Sequence, residues 1–288
     1  MTMDDATTDA ESDRPDPLRE HLYALVSALA AHDGLLVALD FDGTLAAIAD
    51  DPDAARIPDA TRQAVAALAA EPSVEVAVVS GRELADVRER VGVPDLSYAG
   101  NHGLELHTDE YVAHPEARAA QRTVAAAVDD LAADLADVAG AAVEDKGLTA
   151  TVHFRRVADE HVPAVTDAVE SLVGAREDLR LTTGKAVLEL RPDVEWDKGA
   201  AVRRLEADLV PAGEDWLPMY VGDDTTDEAA FAVLADRGIA VKVGADPATE
   251  APYRVADPEA VRALLDWLGT YGPAFLSGEP GDAPTDPP

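Results

Sequence analysis

Two apolar rhythms alternate along this chain. Nearly unbroken apolar runs stand at residues 35–39, 74–79, 96–99, 217–221 and 239–243, with a shorter one at 254–256, and most stop at glycine or polar residues. Runs of this kind mark strands buried on both faces of a parallel sheet. Around them, apolar residues recur at helical spacing over 18–31, 56–70, 83–91 and 258–268, and Asp197 is placed to cap a helix reaching residue 208. Strands alternating with helices predict an α/β fold with a parallel sheet.

The rhythm changes between about 108 and 192. An Ala-rich helix is predicted over 116–138 and another over 161–173, interleaved with two strand pairs, 141–145 with 149–155 and 179–183 with 186–191. Tight Lys146-Gly147 and Gly184-Lys185 turns make these pairs antiparallel, so a small α/β module inserted into the main fold is expected. The expected organisation is an acidic tail over 1–17, a main domain from 18–107 and 193–272, an inserted domain over 108–192, and a second tail over 273–288.

The polar residues that end the buried runs carry the candidate chemistry. The first run stops at Asp40, followed by Asp42, Gly43 and Thr44. Open parallel sheets bind ligands at the carboxyl ends of their strands, so two carboxylates stand where a site is expected; the same residues also suit a plain strand end with a turn. The second run ends in Ser80-Gly81-Arg82 before a helix, where a hydroxyl and free N–H groups hold an anion, or where Ser80 serves only as an N-cap. The third leads into Gly100-Asn101-His102-Gly103, in which His102 is a ligand, an acid or base, or a hydrogen-bonded loop residue.

The run at 217–221 ends in Gly222 and then Asp223, Asp224, Asp227 and Glu228, four acids in six residues, a density that calls for a neutralising cation. Lys198 falls in the first turn of its helix, where the dipole disfavours a cation, which points to anion binding. In the insert, Lys146, His153, Arg155, Lys185 and Glu189 are the polar groups in or beside strands, a solvated turn being the plain reading of Lys185. If the strand ends converge, Asp40, Asp42, Asp223 and Asp224 form an oxygen-only set suited to a hard cation such as Mg²⁺. Asp40 is then placed to attack phosphorus, Asp42 to protonate the leaving oxygen and later activate water, and Ser80 and Lys198 to hold phosphate oxygens.

Composition narrows this picture. The chain has no cysteine, which excludes disulfides, thiolate nucleophiles and cysteine-held zinc. No apolar run is long enough to span a bilayer and the start lacks the features of a signal peptide, so no membrane role and a cytosolic location are expected. A net charge of −34 argues against nucleic acid and anionic membranes as partners. The acids also fill predicted helix faces (Asp129, Asp130, Asp134, Asp137, Glu170, Asp178) rather than a tail alone, which suggests adaptation to high salt, where screening removes self-repulsion.

The Asp-Phe-Asp-Gly-Thr-Leu stretch at 40–45, Ser-Gly-Arg at 80–82, Lys198 and Gly-Asp-Asp-Thr-Thr-Asp at 222–227 stand in the order found in haloacid dehalogenase-like phosphohydrolases. The finer marks, Gly-Asn-His-Gly-Leu-Glu at 100–105, Lys146 with His153-Phe154-Arg155, and Gly184 to Glu189, resemble those of trehalose-6-phosphate phosphatases; the likeness spans about 18–271. It implies a Rossmann-like core with an inserted α/β cap and Mg²⁺-dependent hydrolysis of trehalose 6-phosphate through an aspartyl-phosphate. It implies Asp40 as nucleophile and Asp42 as acid/base. The metal would be held by Asp40, the Asp42 backbone carbonyl and Asp223, with Asp224 or Asp227 in support and Thr44 beside them. Phosphate contacts would come from Ser80, Gly81 and Lys198. Lys185 and Glu189 of the cap would read sugar hydroxyls, with Arg82, Asn101, His102, Lys146 and Arg155 shaping the substrate side. Some relatives are fused to a synthase, so a separate trehalose-phosphate synthase is an expected partner. Two alternatives stay open: the same core acting on another sugar phosphate (sucrose phosphate, mannosylglycerate phosphate, or as a phosphomannomutase), and an inactive subunit that binds trehalose phosphate and regulates a synthase.

Overall fold

No residue of the strand Gly34–Leu39 is exposed, because it runs through the middle of a sheet with a parallel neighbour on each side. The computed structural model describes residues 15–49, 54–184, 186–246 and 248–276. In chain order the strands are β1 (Asp16–Pro17), β2 (Gly34–Leu39), β3 (Val74–Val79), β4 (Ser97–Gly100), β5 (Glu105–His107), β6 (Tyr111–Ala113), β7 (Ala142–Asp145), β8 (Ala150–His153), β9 (Leu179–Gly184), β10 (Val187–Pro192), β11 (Trp216–Gly222), β12 (Ile239–Val243) and β13 (Tyr253–Val255). Nine of them form one sheet in the order β1-β13-β12-β11-β2-β3-β4-β5-β6, and β7-β8-β10-β9 form a second.

The chain leaves β2 for β3 and β4 on one side and returns later to β11, β12 and β13 on the other. That reversal opens a crevice at the carboxyl ends of β2 and β11, where open α/β sheets bind ligands. Alternation along β2 divides the core. Leu35, Val37 and Leu39 pack with Leu68, Leu265 and Leu268 of the helices Asp59–Ala69 and Pro258–Leu276. Ala38 faces the other way, with Ala77, Ala240 and Tyr220, onto Ala201, Val202 and Phe231 of the helices Lys198–Leu209 and Glu228–Leu234.

The second sheet has one dry face and one polar face. Val152, Leu188, Ala150 and Leu190 pack on Val124, Ala127 and Leu131 of the helix Pro115–Asp134 and on Val165 and Val169 of Val162–Gly174. Cross-strand register places Glu144, Thr151, Glu189 and Thr182 in a row on the opposite face, with Arg191 beside Arg180 two residues on.

Four elements differ from the sequence expectation. Asp16–Pro17 joins the sheet beside β13 instead of belonging to a tail; Pro17 has no N–H to donate, which an edge strand tolerates. The rest of the first tail, 1–14, and residues 277–288 of the second lie outside the described residues. The last helix continues to Leu276 through Pro273, because Tyr271 and Phe275 pack against Trp267 and extend the apolar face past residue 268. β5 and β6 add two antiparallel strands of three residues each to the main sheet, too short for a period to register. Among the described residues, no helix is long and apolar enough to cross a membrane.

Candidate active site

Asp40 is the first residue after β2 and Asp223 the first after β11, so parallel pairing of those two strands brings the carboxylates to the same edge. Carboxylate oxygens of Asp40, Asp223 and Asp227 lie within 4.8 Å of one another. Lys198 stands among them, 3% exposed. Its Nζ donates to Asp40 Oδ1 at 2.7 Å and to Asp227 Oδ1 at 2.6 Å. Asp197 caps its helix by accepting from the Ala200 N–H at 2.8 Å, which aims the first turn into the crevice. Lys198 thus stands directly against two carboxylates at the head of its helix.

Asp227 is the most enclosed member. Besides Lys198 it receives Tyr220 Oη–H at 2.6 Å on Oδ1, and its Oδ2 accepts the Asp224 N–H at 2.9 Å. Tyr220 is hidden within the apolar run of β11, and only strand alternation, which sets it on the same face as Gly222, would have marked it from sequence. Asp224 itself is exposed and its side chain is outside the cluster. Gly43 has φ +84°, and a Cβ there would clash with Asp223 Oδ2, so the turn after Asp42 has room for that carboxylate only because residue 43 has no side chain.

Burial, with Asp227 and Asp223 nearby, pushes the Asp40 carboxyl well above the usual carboxylate range against the opposing pull of Lys198. Burial and Asp227 likewise raise Asp223 to about 6, while its Oδ1 is buried with no hydrogen-bond partner. Lys198 is held charged despite burial by Asp227 and Asp40. Closely grouped, oxygen-only acids with an orphaned buried oxygen are the arrangement a hard divalent cation relieves. The residues present therefore fit such an ion, through Asp40, Asp223 and Asp227.

Asp42 is turned differently. Arg82 donates from Nε to Asp42 Oδ2 and from Nη2 to Asp42 Oδ1, both at 2.7 Å, and from Nη1 to Asp86 at 3.1 Å. Its guanidinium also lies 5.3 Å from the Phe41 ring centroid. Ser80 is buried, and its Oγ accepts the Arg82 N–H at 3.1 Å. The following helix begins at Leu84 with Glu83 as its cap residue, so Ser80 is not the N-cap. Thr44 is fully buried with its Oγ1 unpartnered.

The polar face of the second sheet meets the loop after β4. His102 Nε2 lies 3.0 Å from Glu189 Oε2, and Lys146 Nζ lies 3.7 Å from Glu189 Oε1 and donates to the Gly81 carbonyl at 3.2 Å. Asn101 donates to the Lys146 carbonyl at 3.0 Å and accepts from Thr149 Oγ1 at 2.7 Å. Asn101 and His102 both have positive φ, 48° and 57°, stabilised by their N–H groups, which donate to the Arg82 and Ser80 carbonyls. Arg155 is exposed beyond the end of β8, and Lys185 lies outside the described residues. Thr151, Thr182, Arg180 and Arg191 share the polar face without having been singled out in the sequence; counting by two from Glu189 reaches Arg191, and register does the rest.

A family model described as Trehalose-phosphatase matches residues 38–259. An uncharacterized glycosyl hydrolase of Mycobacterium tuberculosis is 42% identical over 263 residues, 88% of this chain and 19% of that one. A trehalose-phosphate phosphatase of the same organism is 40% identical over 255 residues, 84% of this chain and 64% of that one. The chain thus spans about a fifth of the first relative's length and just under two thirds of the second's. Among solved structures, the C-terminal domain of trehalose-6-phosphate phosphatase from C. albicans superposes with a TM-score of 0.72 at 24% identity, covering 89% of this chain and 98% of that one; this is a likeness of fold.

Proposed function

Since the chain belongs to the trehalose-phosphatase family, we propose that it is a phosphatase that hydrolyses trehalose 6-phosphate with Mg²⁺. The observation that carries this reading is the convergence of Asp40, Asp223 and Asp227 on Lys198 at the ends of β2 and β11. Asp40 would attack phosphorus; the new Asp40–phosphorus bond forms as the bond to the sugar oxygen breaks, and Asp42 gives that oxygen its proton. Water then attacks the aspartyl-phosphate, passes a proton to Asp42 and frees Asp40 and inorganic phosphate. Asp40, Asp223 and Asp227, with the Asp42 backbone carbonyl, would hold a Mg²⁺, which supplies charge neutralisation so that an anionic nucleophile can meet an anionic phosphate.

Lys198 would orient Asp40 and oppose the effect of burial on its carboxyl, and Lys198 and Ser80, with the Gly81 backbone, would meet phosphate oxygens. Glu189, Lys146 and His102 sit where the polar face of the inserted sheet approaches the site, which supports a role in reading sugar hydroxyls, with Asn101 holding the loop; Lys185 is kept in the same role on the sequence resemblance. A separate synthase as supplier of the substrate remains part of this reading.

The test is phosphate release from trehalose 6-phosphate, sucrose 6-phosphate, glucose 6-phosphate and mannosylglycerate phosphate, with Mg²⁺ and with chelator. Mg²⁺-dependent preference for trehalose 6-phosphate, abolished by Asp40→Asn, is the expected result. Preference for another sugar would keep the core chemistry and replace the substrate. No release from any of them by folded protein would leave the mutase and regulatory alternatives.

A further inference from the structure

Lys242 is a buried cation in an otherwise apolar strand. Its side chain is 3% exposed, and in the parallel register it stands beside Gly222, the last residue of β11. An ammonium in that position is unfavourable unless it is fully engaged. Its Nζ donates to the Asp224 backbone carbonyl and to Glu228 Oε1, each at 3.2 Å, and it lies 5.8 Å from the Phe231 ring centroid. Glu228 Oε2 in turn accepts from Thr249 Oγ1 at 3.1 Å and from the Glu250 N–H at 2.8 Å.

These contacts pin the acidic loop independently of Lys198, through the Asp224 carbonyl and Glu228. Residue 224 is fixed through both of its backbone groups, the N–H by Asp227 Oδ2 and the carbonyl by Lys242. Asp223, one residue earlier, takes its direction from that pinned peptide, and Asp227 is tied to the same peptide. A buried ammonium also lowers the mutual repulsion of four carboxylates packed into six residues. Glu228 carries the restraint on to the loop after β12 through Thr249 and Glu250.

We propose that Lys242, acting with Glu228, is a positioning residue that sets the divalent-cation affinity of the Asp40, Asp223 and Asp227 cluster without touching the reacting groups. The proposal rests on the metal-dependent reading of that cluster. Outer partners of metal ligands typically tune affinity by about 10- to 100-fold.

The test is Mn²⁺ binding to metal-free protein, followed by electron paramagnetic resonance, for the wild type, Lys242→Met and Glu228→Gln. Methionine keeps the length and apolar stem of the lysine and removes its charge; glutamine keeps the shape of the glutamate and turns a donor toward Lys242. The expected result is Mn²⁺ binding at least about tenfold weaker in Lys242→Met and weaker by a smaller factor in Glu228→Gln. At saturating metal, KM for the sugar phosphate is expected to stay within about threefold of wild type, a split that general loss of structure would not produce. If the wild type binds Mn²⁺ and the folded variants bind it equally well, the positioning role is overturned and the site reading stands. If the wild type fails to bind Mn²⁺, both fall. Should Lys242→Met not fold, by circular dichroism, Glu228→Gln decides alone.

Discussion

Arg82 grips Asp42 through two parallel hydrogen bonds of 2.7 Å, forty residues apart in sequence. The planar guanidinium fixes both oxygens of the carboxylate, and Asp86 and Phe41 fix the guanidinium. If Asp42 is the acid/base, its reach to the leaving oxygen depends on this clamp. Arg82→Ala is expected to lower kcat by about 10- to 100-fold with Mg²⁺ saturating, the usual scale for a misplaced catalytic group. Arg82→Lys should restore little, because an ammonium cannot make the paired bonds. Steady-state kinetics check this, and unchanged kcat in Arg82→Ala would remove the clamp from the mechanism.

Lys198 pairs with two buried carboxyl groups at once, Asp40 and Asp227. Lys198→Met would leave them facing each other without a cation. Breaking a buried pair by removing one partner costs about 3–5 kcal/mol. Urea denaturation of metal-free protein should show a loss of that order, and a loss below about 1 kcal/mol would mean that the site relaxes and admits water.

Gly43→Ala tests the packing of the turn against Asp223. Its φ of +84° costs an alanine about 1 kcal/mol. The new methyl group would also displace the Asp223 carboxylate. The Mg²⁺ concentration for half-maximal activity is expected to rise much more than stability falls. A stability loss with unchanged Mg²⁺ dependence would show that Asp223 is not a ligand.

His102 gives a pH dependence whose sign follows from burial. Burial holds its pKa below the usual 6.5, against the pull of Glu189, and its Nδ1 has no acceptor, so a charged ring is poorly accommodated. The unfolded chain takes up this proton first as pH falls, so folded stability drops below pH 6.5, down to the lower folded value. For Glu189, burial is outweighed by His102, Lys146 and Arg191, which bring its pKa to about 2; its contribution is full above the ordinary 4.5 and lost between there and about 2. Denaturation midpoints from pH 7 to 5 should fall less in His102→Gln than in the wild type. Equal slopes would assign the acid sensitivity to other histidines.

The net charge of −34 bears on stability rather than on the site. At molar salt the screening length shrinks to about 3 Å, and repulsion between separated acids largely disappears. The thermal midpoint is expected to rise from dilute buffer to 2 M KCl, roughly the range where screening is complete. A flat or falling midpoint would count against adaptation to high salt.

Local pattern determined much of this protein. β2, β3 and β12 coincide with apolar runs because a strand buried on both faces admits few polar residues. The acids at 40, 42, 223 and 227 and the out-of-place Lys198 were visible for the same reason, as polar residues at positions where burial or the helix dipole opposed them. The polar face of the inserted sheet was visible only in fragments, at Lys146, His153 and Glu189, because its rows are set by cross-strand register.

Tertiary structure alone decided which of those charges meet. Lys198 finds Asp40 158 residues away and Asp227 29 away; Asp42 turns to Arg82, Asp224 stays outside the cluster, and Tyr220 reaches Asp227 from beneath the loop. Periodicity records whether a residue is buried, since that depends on its own element. Convergence depends on β11 lying beside β2, a long-range pairing that no local run of residues encodes.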